Sequence, residues 1–262
     1  MSEPSGGRLS KGARQERILS EVNASPTLRV SELAGHLKVS TETIRRDLDE
    51  LEVRGLISRT YGGAVRPFGP EPGIMERHQM MVAEREAIAV VAAGLVRHND
   101  VVVMGGGATT VHVARRLAAE KRELTVITHS FGVATVFAPN PTIKVLVCPG
   151  HYNGREGQMF GAETIDYLRK FYANWAIVGA TGLTGDGPND ADADSGAVYR
   201  AMLSRAANTM VVADHGKFDR PALSVYGHWT EVNRLITDVA PSGTLLHALE
   251  RAGVEVMVPN RP

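Results

Sequence analysis

Six apolar runs limit what this chain can become. They lie at 101–104, 124–128, 144–148, 175–180, 209–214 and 234–238, bounded by Gly, Pro or Asp, with helical stretches between several of them. The helical patterns are clearest at 109–119 and 196–207. Continuous apolar strands alternating with helices predict a mostly parallel sheet covered by helices on both faces, an α/β domain. Ligands of such sheets sit beyond the carboxyl ends of the strands. Polar residues gather there: Gly105–Thr110, Thr128-His129-Ser130, Gly179–Gly182 and Asp214–Lys217. No internal repeat is visible. A chain of 262 residues has room for this domain and a smaller one.

The smaller domain precedes it. Residues 1–12 are polar and expected to be a disordered tail. Ile18, Leu19 and Val22 fit one stripe of a short helix. Ser31 is a candidate cap for a second helix, with Leu33 and Leu37 four apart. In "KVSTETIRRDLDELEVRGL" Ser40 is the expected N-cap, and Val39 and Ile44 stand at hydrophobic-staple spacing. Ile44, Leu48 and Leu51 recur at i, i+4 and i+7, and Gly55 ends the helix. "LISRTYGGAV" reads as two short strands about Gly62-Gly63. Three helices and a wing over 13–66 describe a winged helix-turn-helix. "RPFGPEPG" opens an expected linker over 67–80. Helical periodicity resumes near Glu84, with Ile88 and Val91, leaving 81–262 as the larger domain.

The third helix turns Glu42, Thr43, Arg45, Arg46 and Asp49 away from its apolar stripe. Arginine suits guanine edges, and hydroxyls and a helix N-terminus suit phosphates. Lys38, Ser40, Thr41, Thr43, Arg45, Arg46, Arg59 and Tyr61 are the candidate DNA contacts, the last two on the wing. Net charge is zero overall, but residues 8–66 hold eleven Lys/Arg against eight Asp/Glu, so the basic part coincides with this module. A solvated polar face used for protein binding competes with DNA reading.

"VVVMGGGATT" fails both nucleotide templates. Thr110 stands where the dinucleotide fingerprint needs its third glycine, and no Gly-Lys-Ser/Thr follows. Two readings remain: a phosphate held by amides and hydroxyls of Gly106–Thr110 at a helix N-terminus, or a tight turn with threonine caps. In "VVADHGKF" Asp214 suits a sugar hydroxyl and Lys217 a phosphate; their sheet-edge position favours that reading over a solvated turn. His129 fits either a pocket wall or a satisfied structural histidine. Asp190, Asp192 and Asp194 imitate a calcium loop, but Gly196 comes one position late and Ala201 replaces the bidentate Glu. A solvated acidic loop is expected instead. The nine histidines and Cys148 show no zinc spacing, so neither a metal nor a cofactor is expected. One cysteine permits no disulfide within the chain. The polar Met1–Arg14 lacks an apolar signal core, and Ala87–Val96 is too short to span a bilayer, which takes ~20 residues. The expectation is a cytoplasmic protein with no membrane contact.

"RQERILSEV" and "RVSELAGHLKVSTETIRRDLDELEVRGLISRTYGGAV" resemble the N-terminal domain of the DeoR family of bacterial transcriptional regulators. The likeness continues through "GLTGDG", "VVADHGKF" and "LITD", and so covers nearly the whole chain beyond residue 13. It implies a repressor, less often an activator, whose DNA binding is controlled by a sugar phosphate or related catabolic intermediate. It also implies an effector domain resembling ribose-5-phosphate isomerase in fold. The family usually reads Asp-x-Gly-Thr-Thr where this chain has Gly105-Gly106-Gly107-Ala108-Thr109, and Thr-Asn-Ser where it has Thr128, His129 and Ser130. Arg155 matches a basic family position, and Asp194 stands near a usual glutamate. The expected effector residues are Gly105, Gly106, Gly107, Ala108, Thr109, Thr110, Thr128, His129, Ser130, Arg155, Asp194, Asp214 and Lys217. The expected partners are double-stranded operator DNA with paired half-sites, a phosphorylated sugar or polyol, and further copies of the chain. No catalytic residue is expected. The competing reading is an isomerase-like enzyme with a protein-binding N-terminal module.

Overall fold

The computed structural model describes residues 10–24, 30–53, 58–60, 63–65 and 71–259. They fall into two compact units, divided between Pro70 and Glu71.

The first unit has α1 (Lys11–Ala24), α2 (Val30–Leu37), α3 (Thr41–Val53) and an antiparallel pair, β1 (Ser58–Thr60) and β2 (Gly63–Val65), with Arg59 opposite Ala64. Ile18, Val30, Leu33, Leu37, Ile44, Leu48 and Leu51 make its core, and Leu19 and Val39 pack against it. The staple pair is thus met. Ser40 Oγ accepts the Thr43 amide at 3.1 Å, so it caps α3. Ser31 does not cap α2: that helix starts at Val30, which places Ser31 inside its first turn. α2 ends in a Schellman motif, with the Val39 amide bonding to the Ala34 carbonyl at 3.1 Å and that of Lys38 to Gly35 at 3.3 Å. Lys38 takes the left-handed position at φ +52°, where glycine is usual. α1 is fastened to α3 by a partly buried pair: Arg14 donates twice to Asp47, at 3.0 Å through Nη2 and more closely through Nε. That bond, followed by the attraction of Asp47, raises the Arg14 pKa. Lys11 and Gly12, expected in the tail, belong to α1. Residues 1–9, Gly55, Tyr61, Gly62 and the side chains of Val22 and Arg59 lie outside the described residues.

The second unit runs α4 (Ile74–Arg77), α5 (Val82–Leu95), β3 (Val101–Met104), α6 (Ala108–Glu120), β4 (Thr125–Thr128), α7 (Phe131–Phe137), β5 (Lys144–Val147), β6 (His151–Asn153), β7 (Gln158–Phe160) and α8 (Ala162–Leu168). It continues β8 (Ala173–Val178), β9 (Gly182–Thr184), β10 (Gly187–Asp190), α9 (Ala193–Leu203), β11 (Ala206–Val212), β12 (Ser224–Val225), β13 (Arg234–Ile236), α10 (Gly243–Ala252) and β14 (Glu255–Met257). Seven strands form one parallel sheet in the order β14-β13-β11-β8-β3-β4-β5. Side chains alternate across it. Val102, Met104, Val126, Ile177 and Val212 pack with α5, α6 and α7, while Val103, Ile127, Ala176, Val178 and Val211 pack with α8, α9 and α10. All six apolar runs are strands. β14 escaped the sequence reading because it is a partly exposed edge strand of three residues. The hairpin β6–β7 and the small sheet β12-β10-β9 escaped it because they are short and polar.

Two boundaries are corrected. The helix expected at 196–207 is α9, three residues earlier. Asp192 Oδ1 accepts the Asp194 and Ser195 amides at 2.8 and 3.4 Å and starts it, while Ala206 already belongs to β11. The "acidic loop" is therefore a strand end and a helix cap. The segment expected as linker up to residue 80 belongs to the second unit from Glu71 onward, with Glu71 itself buried.

Candidate functional site

The chain moves outward through β3, β4 and β5, then returns so that β8 pairs on the other side of β3. The strand order reverses between β3 and β8, and a crevice opens there beyond the carboxyl ends. Gly105-Gly106-Gly107 leaves β3 at this switch point.

Each glycine has a local cause. A Cβ on Gly105 would lie 2.7 Å from Tyr199 Cε1, and one on Gly106 would collide with the Gln158 carboxamide. Gly107 sits at φ +121° as the N-cap of α6, without a side-chain cap. The first-turn amides of Ala108, Thr109 and Thr110 therefore lack intrahelical acceptors and lie at the positive end of the helix dipole. The Gly106 amide is not among the available donors: it bonds to His129 Nε2 at 3.2 Å. His129 Nδ1 lies 2.9 Å from the Met159 carbonyl. An amide donor on one side and a carbonyl acceptor on the other require an accepting Nε2 and a donating Nδ1, one neutral tautomer. Burial holds the His129 pKa down at about 4 against that carbonyl. Tyr199 donates to the Gly106 carbonyl at 3.0 Å and meets the His129 ring edge-on. His129 thus has its structural role, fixing the loop from beneath.

The other expected residues have defined partners. Thr110 Oγ1 donates to the Gly107 carbonyl at 2.9 Å, and Thr109 and Ala108 are buried in the first turn of α6. Thr128 Oγ1 accepts the Ser130 amide at 3.1 Å, and Ser130 Oγ accepts the Val133 amide at 3.3 Å, capping α7. Asp214 is 2% exposed; Arg85 Nε and Nη2 donate to its Oδ2 at 3.3 and 3.2 Å. Lys217 Nζ donates to Glu71 Oε1 at 2.7 Å, and burial lowers the Lys217 pKa in spite of that carboxylate. Arg155 is exposed, and its Nη2 donates to the Glu71 carbonyl. Asp194 is exposed in the first turn of α9 and lines a cavity of about 560 Å³ with His151, Tyr152, Phe160 and Asp192. That cavity does not include the glycine loop. In the first unit, Arg45 and Arg46 are exposed, with Glu42 oxygens 3.8 and 3.7 Å away. Lys38, Ser40 and Thr41 are also exposed, and the Thr43 hydroxyl lies 2.9 Å from Ser40 Oγ.

Several residues near the crevice were not foreseen. Glu71 is ion-paired with Lys217, with Arg220 at 2.9 Å and with Arg77 at 3.8 Å. Those cations outweigh its burial and lower its pKa. Arg77 also donates to Glu156, and Arg85 to the Arg77 carbonyl. Burial pushes Asp190, at the end of β10, up to about 6, although its Oδ1 accepts the Asp192 amide at 3.0 Å. These groups make a dense charged floor of paired cations and carboxylates. Sequence gave Arg77 and Arg85 no motif, and Glu71 lay inside a Pro/Gly stretch.

Residues 14–67 match the DeoR-like helix-turn-helix domain, and residues 80–239 match the DeoR C terminal sensor domain. The chain is 29% identical to the HTH-type transcriptional repressor CsqR of Escherichia coli, covering 96% of this chain and 97% of that protein. It is 30% identical to the HTH-type transcriptional repressor GlcR of Bacillus subtilis (85% and 86% covered) and 28% identical to the glycerol-3-phosphate regulon repressor of Escherichia coli (92% and 96%). Among solved structures it is similar to eIF2B delta from Chaetomium thermophilum, at TM-score 0.49 and 16% identity over 88% of this chain and 72% of that one. A ribose-5-phosphate isomerase matches at TM-score 0.38 and 14% identity over 51% and 52%. Those two likenesses are too distant to speak to function. Among the described residues no helix is long and apolar enough to cross a membrane. With a helix-turn-helix unit followed by a sensor domain, the chain belongs to the DeoR family of transcriptional regulators and is a DNA-binding regulator, not an enzyme.

Proposed function

We propose that this protein is a cytoplasmic repressor of a carbohydrate or polyol catabolic operon, released from its operator by a phosphorylated sugar or polyol. The observation that carries the DNA reading is the exposure of Arg45 and Arg46 on the outer face of α3, directly after its Ser40 cap. That end of a recognition helix enters the major groove. Lys38, Ser40, Thr41 and Thr43 gather at the same end, and Arg59 lies on β1. The protein binds paired half-sites as a symmetric homo-oligomer. The effector phosphate is held by the Ala108–Thr110 amides and the Thr109 hydroxyl, with Lys217 supplying charge and Asp214 a hydroxyl acceptor. The named relatives support this choice of metabolite, since one is a glycerol-3-phosphate regulon repressor. The effector must favour one arrangement of the protein over another, or it shifts nothing.

The test is a salt-controlled gel shift on a DNA fragment selected from a random pool by the wild-type protein. Arg46→Ala weakens binding and relaxes selection at one base position, while the response to phosphorylated metabolites stays intact. Each lost base contact costs about 1–3 kcal/mol. Unchanged affinity removes α3 as the reading helix.

A further inference from the structure

Residues 71–80 form a strap at the start of the second unit that buries one side chain, Glu71. Glu71 is buried; every other residue from 72 to 80 is half-buried or exposed, and α4 buries none of its side chains. Apolar burial therefore contributes little to keeping the strap in place. Polar contacts do it instead: Glu71 to Lys217 and Arg220, Arg155 to the Glu71 carbonyl, Arg77 to Glu156, and a long 3.4 Å bond from the Ile74 amide to the Arg155 carbonyl. The far end turns at Met81, a non-glycine residue at φ +51°.

The Glu71 carboxylate is itself imperfectly served. Oε1 takes the Lys217 bond, but Oε2 is buried without an aligned donor, although Arg220 Nη2 stands 2.9 Å away. Lys217, Arg220 and Arg77 surround one singly charged carboxylate, with Arg77 shared with Glu156. A phosphate monoester carries up to two charges and three acceptor oxygens, a better complement to the same donors.

The geometry points to Glu71 as an internal competitor of the effector: its carboxylate fills the anion position at Lys217 and Arg220, and an incoming phosphate expels it and frees the strap 71–80. This rests on the reading of Lys217 as an effector ligand. Glu71 is the first residue after the division between the units. Its release therefore unties the first residues of the second unit, giving the sensor an output that needs no rearrangement of the sheet. A site filled by its own carboxylate nine-tenths of the time shows about tenfold weakened apparent affinity, the fraction left competent.

The test titrates full-length protein with inorganic phosphate at fixed ionic strength by calorimetry, comparing wild type, Glu71→Gln and Lys217→Ala. Glu71→Gln binds phosphate about tenfold more tightly, and Lys217→Ala loses binding. Hydrogen exchange supplies the second readout: phosphate accelerates exchange of the Ile74–His78 amides in wild type, and Glu71→Gln shows that acceleration without phosphate. If Lys217→Ala weakens binding but Glu71→Gln does not tighten it, the pocket stands and the competition is refuted. If Lys217→Ala binds normally, the pocket reading fails and the competition with it. Should Glu71→Gln not fold, wild-type exchange decides, and unchanged or slowed exchange of Ile74–His78 under phosphate overturns the proposal.

Discussion

Asp190 offers a quantitative test of the charged floor beneath the switch point. Burial raises its pKa from the ordinary 3.8 to about 6, the Arg77 charge and the Asp192 amide offsetting only part of the cost. The native state then keeps a proton that the unfolded chain releases. Where the native state binds more protons, stability falls as pH rises. The fall begins near the unfolded value, about pH 4, and levels off above about pH 6. At 1.36 kcal/mol per unit, the full gap is worth about 3 kcal/mol. About 2 kcal/mol of it develops between about pH 4.5 and pH 7.5, because the unfolded group is already mostly ionised at the lower value. Asp190→Asn retains an oxygen for the Asp192 amide and removes the titration. The variant therefore gains about 2 kcal/mol on wild type as pH rises across that range. Denaturant unfolding followed by tryptophan fluorescence measures it on the right unit, since Trp175 and Trp229 both lie beyond Glu71. Parallel stability curves for the two proteins would show that Asp190 is ionised in the native state and that the cations around it, not its burial, set its charge.

Two further substitutions probe backbone features. Lys38→Gly relieves the left-handed residue ending α2 and raises the thermal stability of the first unit by about 0.5–1 kcal/mol, read from the helical circular-dichroism signal; a lowered melting temperature contradicts the Schellman assignment. Gly105→Ala places a Cβ 2.7 Å from Tyr199, forces that ring off the Gly106 carbonyl and costs about 2 kcal/mol by tryptophan-monitored denaturation. Unchanged stability would mean that Tyr199 does not cover the turn.

Legibility in the sequence followed the range of the forces involved. The β3, β4 and β8 runs were readable because strands buried on both faces are apolar without interruption. The Ser40 cap and the Val39–Ile44 staple were readable because their partners are three to five residues apart. Glu71 was not, since its partner Lys217 lies 146 residues away and Pro/Gly composition reports only the local backbone. His129 remained undecided between pocket wall and core for the same reason: its two bonding partners come from β3's turn and from β7. Asp192 was visible as an acid but not as a cap, because the helix it starts was placed three residues too late. Of the candidate site, the glycine turn and "VVADHGKF" stood out as motifs, whereas the cations Arg77, Arg85 and Arg220 carried none.

The clasp of His129 and Tyr199 on Gly106 has a kinetic consequence. Ordering a loop residue costs about 1–2 kcal/mol of backbone entropy. Here that cost falls in folding, before any ligand arrives, since both the N–H and the C=O of Gly106 are already bonded. With the effector phosphate seated as proposed, docking at the α6 amides is a rigid, single-step encounter whose observed rate rises linearly with metabolite concentration. Any step that reaches a plateau at high concentration must arise elsewhere in the molecule.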